Sequence, residues 1–147
     1  MEIVELEPQV AAIKRVSTTA VDLPGVIDKT FPALFGELAS KKVERVGPPF
    51  VRYLETGEEM EAELGVPIPH DTSPGVVKSS TLPAGPAAVY VYIGPYDGLR
   101  SAWKQFGEWV ERQGREQDGP FWESYVSDPR EVPDPAMRIT ELYFPLK

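Results

Sequence analysis

The stretch Gly119-Pro120-Phe121-Trp122-Glu123-Ser124-Tyr125-Val126-Ser127-Asp128-Pro129 holds the residues best suited to chemistry. As a strand it would alternate, with Phe121, Glu123 and Tyr125 on one face and Trp122, Ser124 and Val126 on the other. A strand so rich in large apolar side chains is expected to be largely buried, and a carboxylate there needs a partner or a purpose. A lipophilic cation would be a fitting partner. Glu123 would compensate its charge while neighbouring rings add cation–π attraction of roughly 0.5–2 kcal/mol each. The plainer alternative is an internal ion pair, and the repeat described below sets Arg52 opposite Glu123 as the candidate.

Other chemistries lack their residues. Cysteine is absent and His70 is the only histidine, which removes thiol chemistry, Cys/His zinc sites and histidine-ligated haem. His70 stands beside Asp71 in a proline-punctuated loop with no Gly-x-Ser-x-Gly elbow, so a hydrolase triad is not expected. No Walker or dinucleotide glycine pattern occurs. The acidic residues Asp128, Glu131 and Asp134 are interrupted by prolines and read as a solvated loop. No metal and no cofactor are expected.

The 147 residues carry a formal net charge of −8, which suits cationic ligands and argues against direct nucleic-acid binding, since that relies on basic stripes. The N-terminus Met1-Glu2-Ile3-Val4-Glu5 has no signal-peptide pattern, and no apolar run of membrane-spanning length occurs. A single cytoplasmic domain with no membrane partner is the expectation.

Four matches in the same order divide the chain into two related modules. Ala11-Ala12-Ile13 returns as Ala87-Ala88-Val89, and Phe35-Gly36-Glu37-Leu38 as Phe106-Gly107-Glu108-Trp109. Pro49-Phe50 returns as Pro120-Phe121, and Glu63-Leu64-Gly65-Val66-Pro67-Ile68 as Glu141-Leu142-Tyr143-Phe144-Pro145-Leu146. Module one is expected over 1–68, a linker over 69–75 and module two over 76–147.

Each module reads as strand, helix, strand, strand. In the first, Asp22-Leu23-Pro24 opens a helix with Ile27, Phe31, Leu34, Phe35 and Leu38 on one face, and Pro32 predicts a kink or a start near Thr30. Strands follow over Phe50 to Glu55 and Met60 to Val66. In the second, Val76 to Leu82 and Ala87 to Ile93 are expected to form a hairpin. The turn Gly94-Pro95-Tyr96-Asp97-Gly98 then leads, with Asp97 as N-cap, into a helix whose stripe is Leu99, Ala102, Trp103, Phe106 and Val110, with Gly114 at its end. Strands over Phe121 to Val126 and Arg138 to Phe144 complete it, joined by the loop 127–135. The expected fold is α+β, a duplicated βαββ unit with an antiparallel sheet, both helices on one side and a ligand groove between modules on the helix-free face.

Three motifs carry a resemblance: Glu61-Ala62-Glu63-Leu64-Gly65-Val66-Pro67, Gly94-Pro95-Tyr96-Asp97-Gly98-Leu99 and Glu123-Ser124-Tyr125-Val126-Ser127-Asp128-Pro129. Together with the duplication they resemble the GyrI-like small-molecule-binding family, which includes AraC-type effector-binding domains and the ligand domains of multidrug-responsive regulators. The resemblance implies a groove for bulky, often cationic aromatic compounds, with Glu123 at its floor and Tyr96 beside it. It also implies a stand-alone member, since no helix-turn-helix segment is present. Tyr92 stands where relatives often carry histidine.

The ligand residues expected are Glu123, Tyr96, Tyr125, Tyr53, Phe50, Phe121, Trp122 and Trp103. Trp103 and Phe106 also fit a helix core, and by alternation Trp122 should pack under a helix. The leading expectation is a stand-alone binder of a hydrophobic, cationic or polyaromatic compound with Glu123 as charge partner. One alternative is a hydrolase of strained cyclopropane-type electrophiles, in which Glu123 activates water and Tyr96 assists. Another is a gyrase-inhibitor-like interaction module, with gyrase or a transcription regulator as protein partner.

Overall fold

A computed structural model describes residues 1–147. The elements run β1 (Glu2–Leu6), β2 (Gln9–Thr18), α1 (Leu23–Ser40), β3 (Phe50–Glu55), β4 (Met60–Pro67), β5 (Ser79–Leu82), β6 (Gly85–Ile93), α2 (Leu99–Arg112), β7 (Trp122–Tyr125) and β8 (Ile139–Pro145). Short 3-10 turns lie at Tyr96–Gly98 and Pro135–Met137. The class is α+β, as expected.

Two compact units form, one of Pro8–Pro83 and one of Met1–Glu7 with Ala84–Lys147. Their edges do not follow the sequence halves. The expected hairpin between the strands around 80 and 90 is absent: β5 pairs with β2, from Gln9↔Leu82 to Ala12↔Ser79, and β6 pairs with β1, from Glu2↔Val89 to Leu6↔Gly85. Pro83 and Pro86 flank the connection, and each lacks the amide donor that a tight hairpin ladder would use.

In the unit Pro8–Pro83 the strands are ordered β3-β4-β2-β5, all antiparallel. Helix α1 buries Phe31, Leu34 and Leu38. It runs through Pro32 without ending there, because Pro32 faces solvent and the carbonyl left without its amide partner is on the wet side. Asp22 makes no side-chain cap bond; Arg45 lies 4.2 Å over the Phe35 ring. Phe50 sits directly across from Gly65, where an added Cβ would come within 2.6 Å of the ring and 2.9 Å of the Ala12 carbonyl oxygen. Only a glycine leaves that ring its place.

In the other unit the order is β1-β6-β8-β7, again antiparallel. The stripe of α2 behaves as its spacing predicts: Ala102, Phe106 and Val110 are buried against Ala88, Leu142 and Leu146, with Tyr90, Tyr92, Trp103 and Phe144 around them. Helix α2 ends with Gly114 at a φ of +70°, which favours glycine. Its N-terminal side is Gly98 after a 3-10 turn, and Asp97 is not the N-cap.

Register fixes which residues share the α2 side of this sheet. Tyr90, Leu142 and Glu123 stand directly across from one another, and so do Tyr92, Thr140 and Tyr125. Since Leu142 packs under α2, Glu123 lies on the helix side and not on the helix-free face where the groove was expected. The register also corrects the repeat by one residue: Arg52 opposes Glu63, whereas Ser124 opposes Glu141. The counterpart of Glu123 is therefore Val51, which is fully buried.

Phe106 is fully buried at the centre of this cluster. Phe106→Ala is expected to cost about 3–5 kcal/mol in urea unfolding, whereas Val21→Ala, at an 88% exposed position, should stay within about 0.5 kcal/mol of the parent.

Candidate functional site

Glu123 is only 5% exposed. The indole Nε1–H of Trp103 donates to Glu123 Oε1 at 2.7 Å, and the hydroxyl of Tyr125 donates to Glu123 Oε2 at 2.6 Å. Strand alternation supplies Tyr125 two residues along β7, and one turn of α2 above the sheet supplies Trp103. The i, i+4 pair Leu99 and Trp103 brings the indole to the end of the apolar stripe, where its ring packs and its N–H reaches out of the core.

Trp103 lies 4.7 Å from Phe121 and 5.1 Å from Phe144, ring centre to ring centre. Tyr96 stands edge-on to Tyr125 at 5.9 Å, and the Arg138 guanidinium lies 5.2 Å from the Tyr96 ring centre. Burial pushes the Tyr96 hydroxyl pKa up; nearby Arg138 opposes that and Asp128 adds to it. The site is thus a buried carboxylate held by two neutral aromatic donors, with more rings around it.

A local device presents Tyr96. The Tyr92 hydroxyl donates to the Pro95 carbonyl at 2.7 Å, and the phenol lies against Gly94 and Gly98 so closely that a Cβ at either would collide with it. This explains the Gly-Pro-Tyr-Asp-Gly spacing: the two glycines make room for the Tyr92 phenol, which anchors the turn between them.

Of the expected ligand residues, Glu123, Trp103, Tyr125, Tyr96 and Phe121 come together. Trp122 does not join them, nor does it pack under a helix. It stacks on Tyr143, directly across on β8, at 5.0 Å and 8° on the opposite face. Phe50 and Tyr53 belong to the unit Pro8–Pro83, where Phe50 is buried over Gly65 and Tyr53 is half-buried opposite Ala62. Arg52 there makes an ion pair with Glu63 at 3.5 Å. Sequence reasoning missed Arg138 and Thr140. Both precede or open β8 on the Glu123 side, and the alternation Arg138, Thr140, Leu142 could have flagged them.

Two clefts lie in the unit Pro8–Pro83, one of about 220 Å³ lined by Ile13, Lys14, Leu34 and Lys78, and one of about 350 Å³ lined by Lys41, Lys42 and Thr72. Neither combines a buried acid with rings. No three of His, Asp and Glu are grouped to hold a metal ion, and no helix is long and apolar enough to cross a membrane.

Over residues 1–147 the chain matches the GyrI-like small molecule binding domain, and it belongs to that family. Its fold is similar to EcmrR in an EcmrR–DNA complex solved by cryo-electron microscopy, with TM-score 0.82 and 25% identity over 99% of this chain and 56% of that one. The chain therefore spans just over half of that EcmrR chain, 56%. The crystal structure of the EcmrR C-terminal domain alone gives TM-score 0.84 at 23% identity, covering 99% of this chain and 96% of that one. SAV2435, solved bound to tetraphenylphosphonium, gives TM-score 0.69 at 13% identity, covering 99% and 93%. No curated protein matches the sequence.

Two outcomes follow from this geometry. Gly98→Ala should lower the thermal midpoint by several degrees, and adding Tyr92→Phe, which removes the nearest colliding atom, should recover part of the loss; additive losses would rule out the collision. The Tyr143 phenol is pushed up to about 12, first by burial and then by Glu141. A raised acid pKa favours the neutral form in the folded state, so this stabilisation is whole below the ordinary value of about 10 and fades as pH rises towards 12. Ultraviolet titration should show a late phenol ionisation that Tyr143→Phe removes.

Proposed function

We propose that the chain binds a hydrophobic small molecule carrying a positive charge, cationic or polyaromatic, with Glu123 as charge partner and Trp103, Tyr125, Tyr96 and Phe121 as the surrounding rings. The observation that carries this reading is the pair of hydrogen bonds from Trp103 and Tyr125 to a nearly inaccessible carboxylate. Both donors are neutral. A desolvated cation entering beside this carboxylate gains a Coulombic attraction that bulk water would screen.

The same two donors make the site responsive. A ligand reaching the carboxylate must turn aside the indole or the phenol, and each of these rings then offers its face to the cation. A neutral compound of the same shape gains the ring contacts alone. Tetraphenylphosphonium, the compound bound to SAV2435, is an example of the ligand class meant: bulky, aromatic and cationic.

Crystal violet and its neutral leuco form give a matched pair of similar shape, and quenching of tryptophan fluorescence reads their binding. Glu123→Gln is expected to weaken crystal violet at least about tenfold and to leave the leuco form nearly unchanged. Equal loss for both would remove the charge role.

A further inference from the structure

We infer that the ligand is two-ended, with its cation at Glu123 and a planar acceptor, best a carboxylate, received by Arg138. This deepens the proposed function and rests on Glu123 being the cation's partner.

Arg138 is half-buried immediately before β8. Its guanidinium lies over Tyr96, Tyr96 stands edge-on to Tyr125, and Tyr125 donates to Glu123. Opposite charges thus sit at the two ends of one aromatic run. The Nε–H of Arg138 donates to the Val132 carbonyl at a long 3.4 Å, and its terminal nitrogens donate to no protein group. Arg138 forms no ion pair with a carboxylate of the chain. The neighbouring acid, Asp128, is paired with Arg130.

A second, independent observation falls on the path between the two charges. Thr140 is fully buried, yet its hydroxyl has no hydrogen-bond partner, and such groups are rare because each one costs stability. It stands between Tyr92 and Tyr125 in register and two residues from Arg138; Thr140 and Leu142 of β8 address the same face as Glu123, and Arg138, just before the strand, reaches Tyr96 beside them. A polar group of a ligand running from Glu123 to Arg138 would satisfy it.

The charges also orient the guest. Arg138 repels a cation from the Tyr96 end, while its two terminal nitrogens offer the paired N–H donors that a carboxylate accepts in bidentate fashion. A cation with no acceptor would use half of this arrangement.

Rhodamine 110, with a free carboxylate, and rhodamine 123, its methyl ester, share one cationic ring system and test the point by fluorescence anisotropy with the full chain. Non-specific attraction to a protein of net charge −8 favours the ester, so a preference for the acid needs a local cation. The parent is expected to bind the acid roughly tenfold more tightly. Arg138→Gln should abolish the preference by weakening the acid alone, and Arg138→Lys, which keeps the charge without the fork, should retain part of it; thermal midpoints of both variants check folding. Equal binding of the two dyes by the parent, or a preference that survives Arg138→Gln, overturns the role of Arg138 and leaves Glu123 standing. Binding of both dyes that is indifferent to Glu123→Gln, or no binding of either, overturns the Glu123 reading and this inference with it.

Discussion

A carboxylate kept out of water, each oxygen held by the N–H or O–H of a ring, is the interaction on which the rest of this unit depends. Removing Glu123 from solvent is costly, and hydrogen bonds to a charged group return about 1.5–3 kcal/mol each. The donors must therefore be placed well. That requirement explains why Trp103 sits at the rim of the α2 stripe rather than inside it, and why β7 carries Tyr125 two residues beyond the acid. The packing of Phe121, Phe106 and Phe144 around the Trp103 indole holds it in its donating position.

Duplication shows what was built onto a common framework. At the strand position of Glu123 the other unit has Val51, fully buried and apolar, which is the ordinary content of such a position. One unit keeps a hydrocarbon there and stabilises itself with the partly buried Arg52–Glu63 pair on the neighbouring position. The other accepts the cost of a charge. A protein under selection for stability alone has no reason to make that exchange, and the proposed function builds on this asymmetry.

The turn before α2 links local sequence to the same site. Tyr92 lies on the α2 side of β6, and its hydroxyl closes over the following Gly-Pro-Tyr-Asp-Gly segment. The phenol thereby aims Tyr96 at Tyr125 without using any charged group. The contact that holds the turn is a phenol hydroxyl on a backbone carbonyl, with no charged group in it.

Periodicity alone determined the two helices, most strand limits, the α+β class and the placing of Glu123 with Phe121 and Tyr125 on one face, because spacing of 3.6 and 2 residues is a local property of the chain. Motif matches brought Tyr96 to the same site. Tertiary structure decided the rest. Which strands pair at the edges depended on prolines 83 and 86 failing as hairpin donors and on β1 and β5 finding other partners. Which side of the sheet α2 covers placed Glu123 beneath Trp103 and sent Trp122 to stack on Tyr143. The one-residue register shift that replaces Arg52 by Val51 as the counterpart of Glu123, and the arrival of Arg138 over Tyr96, come from contacts between residues far apart in sequence, and no local pattern encodes those.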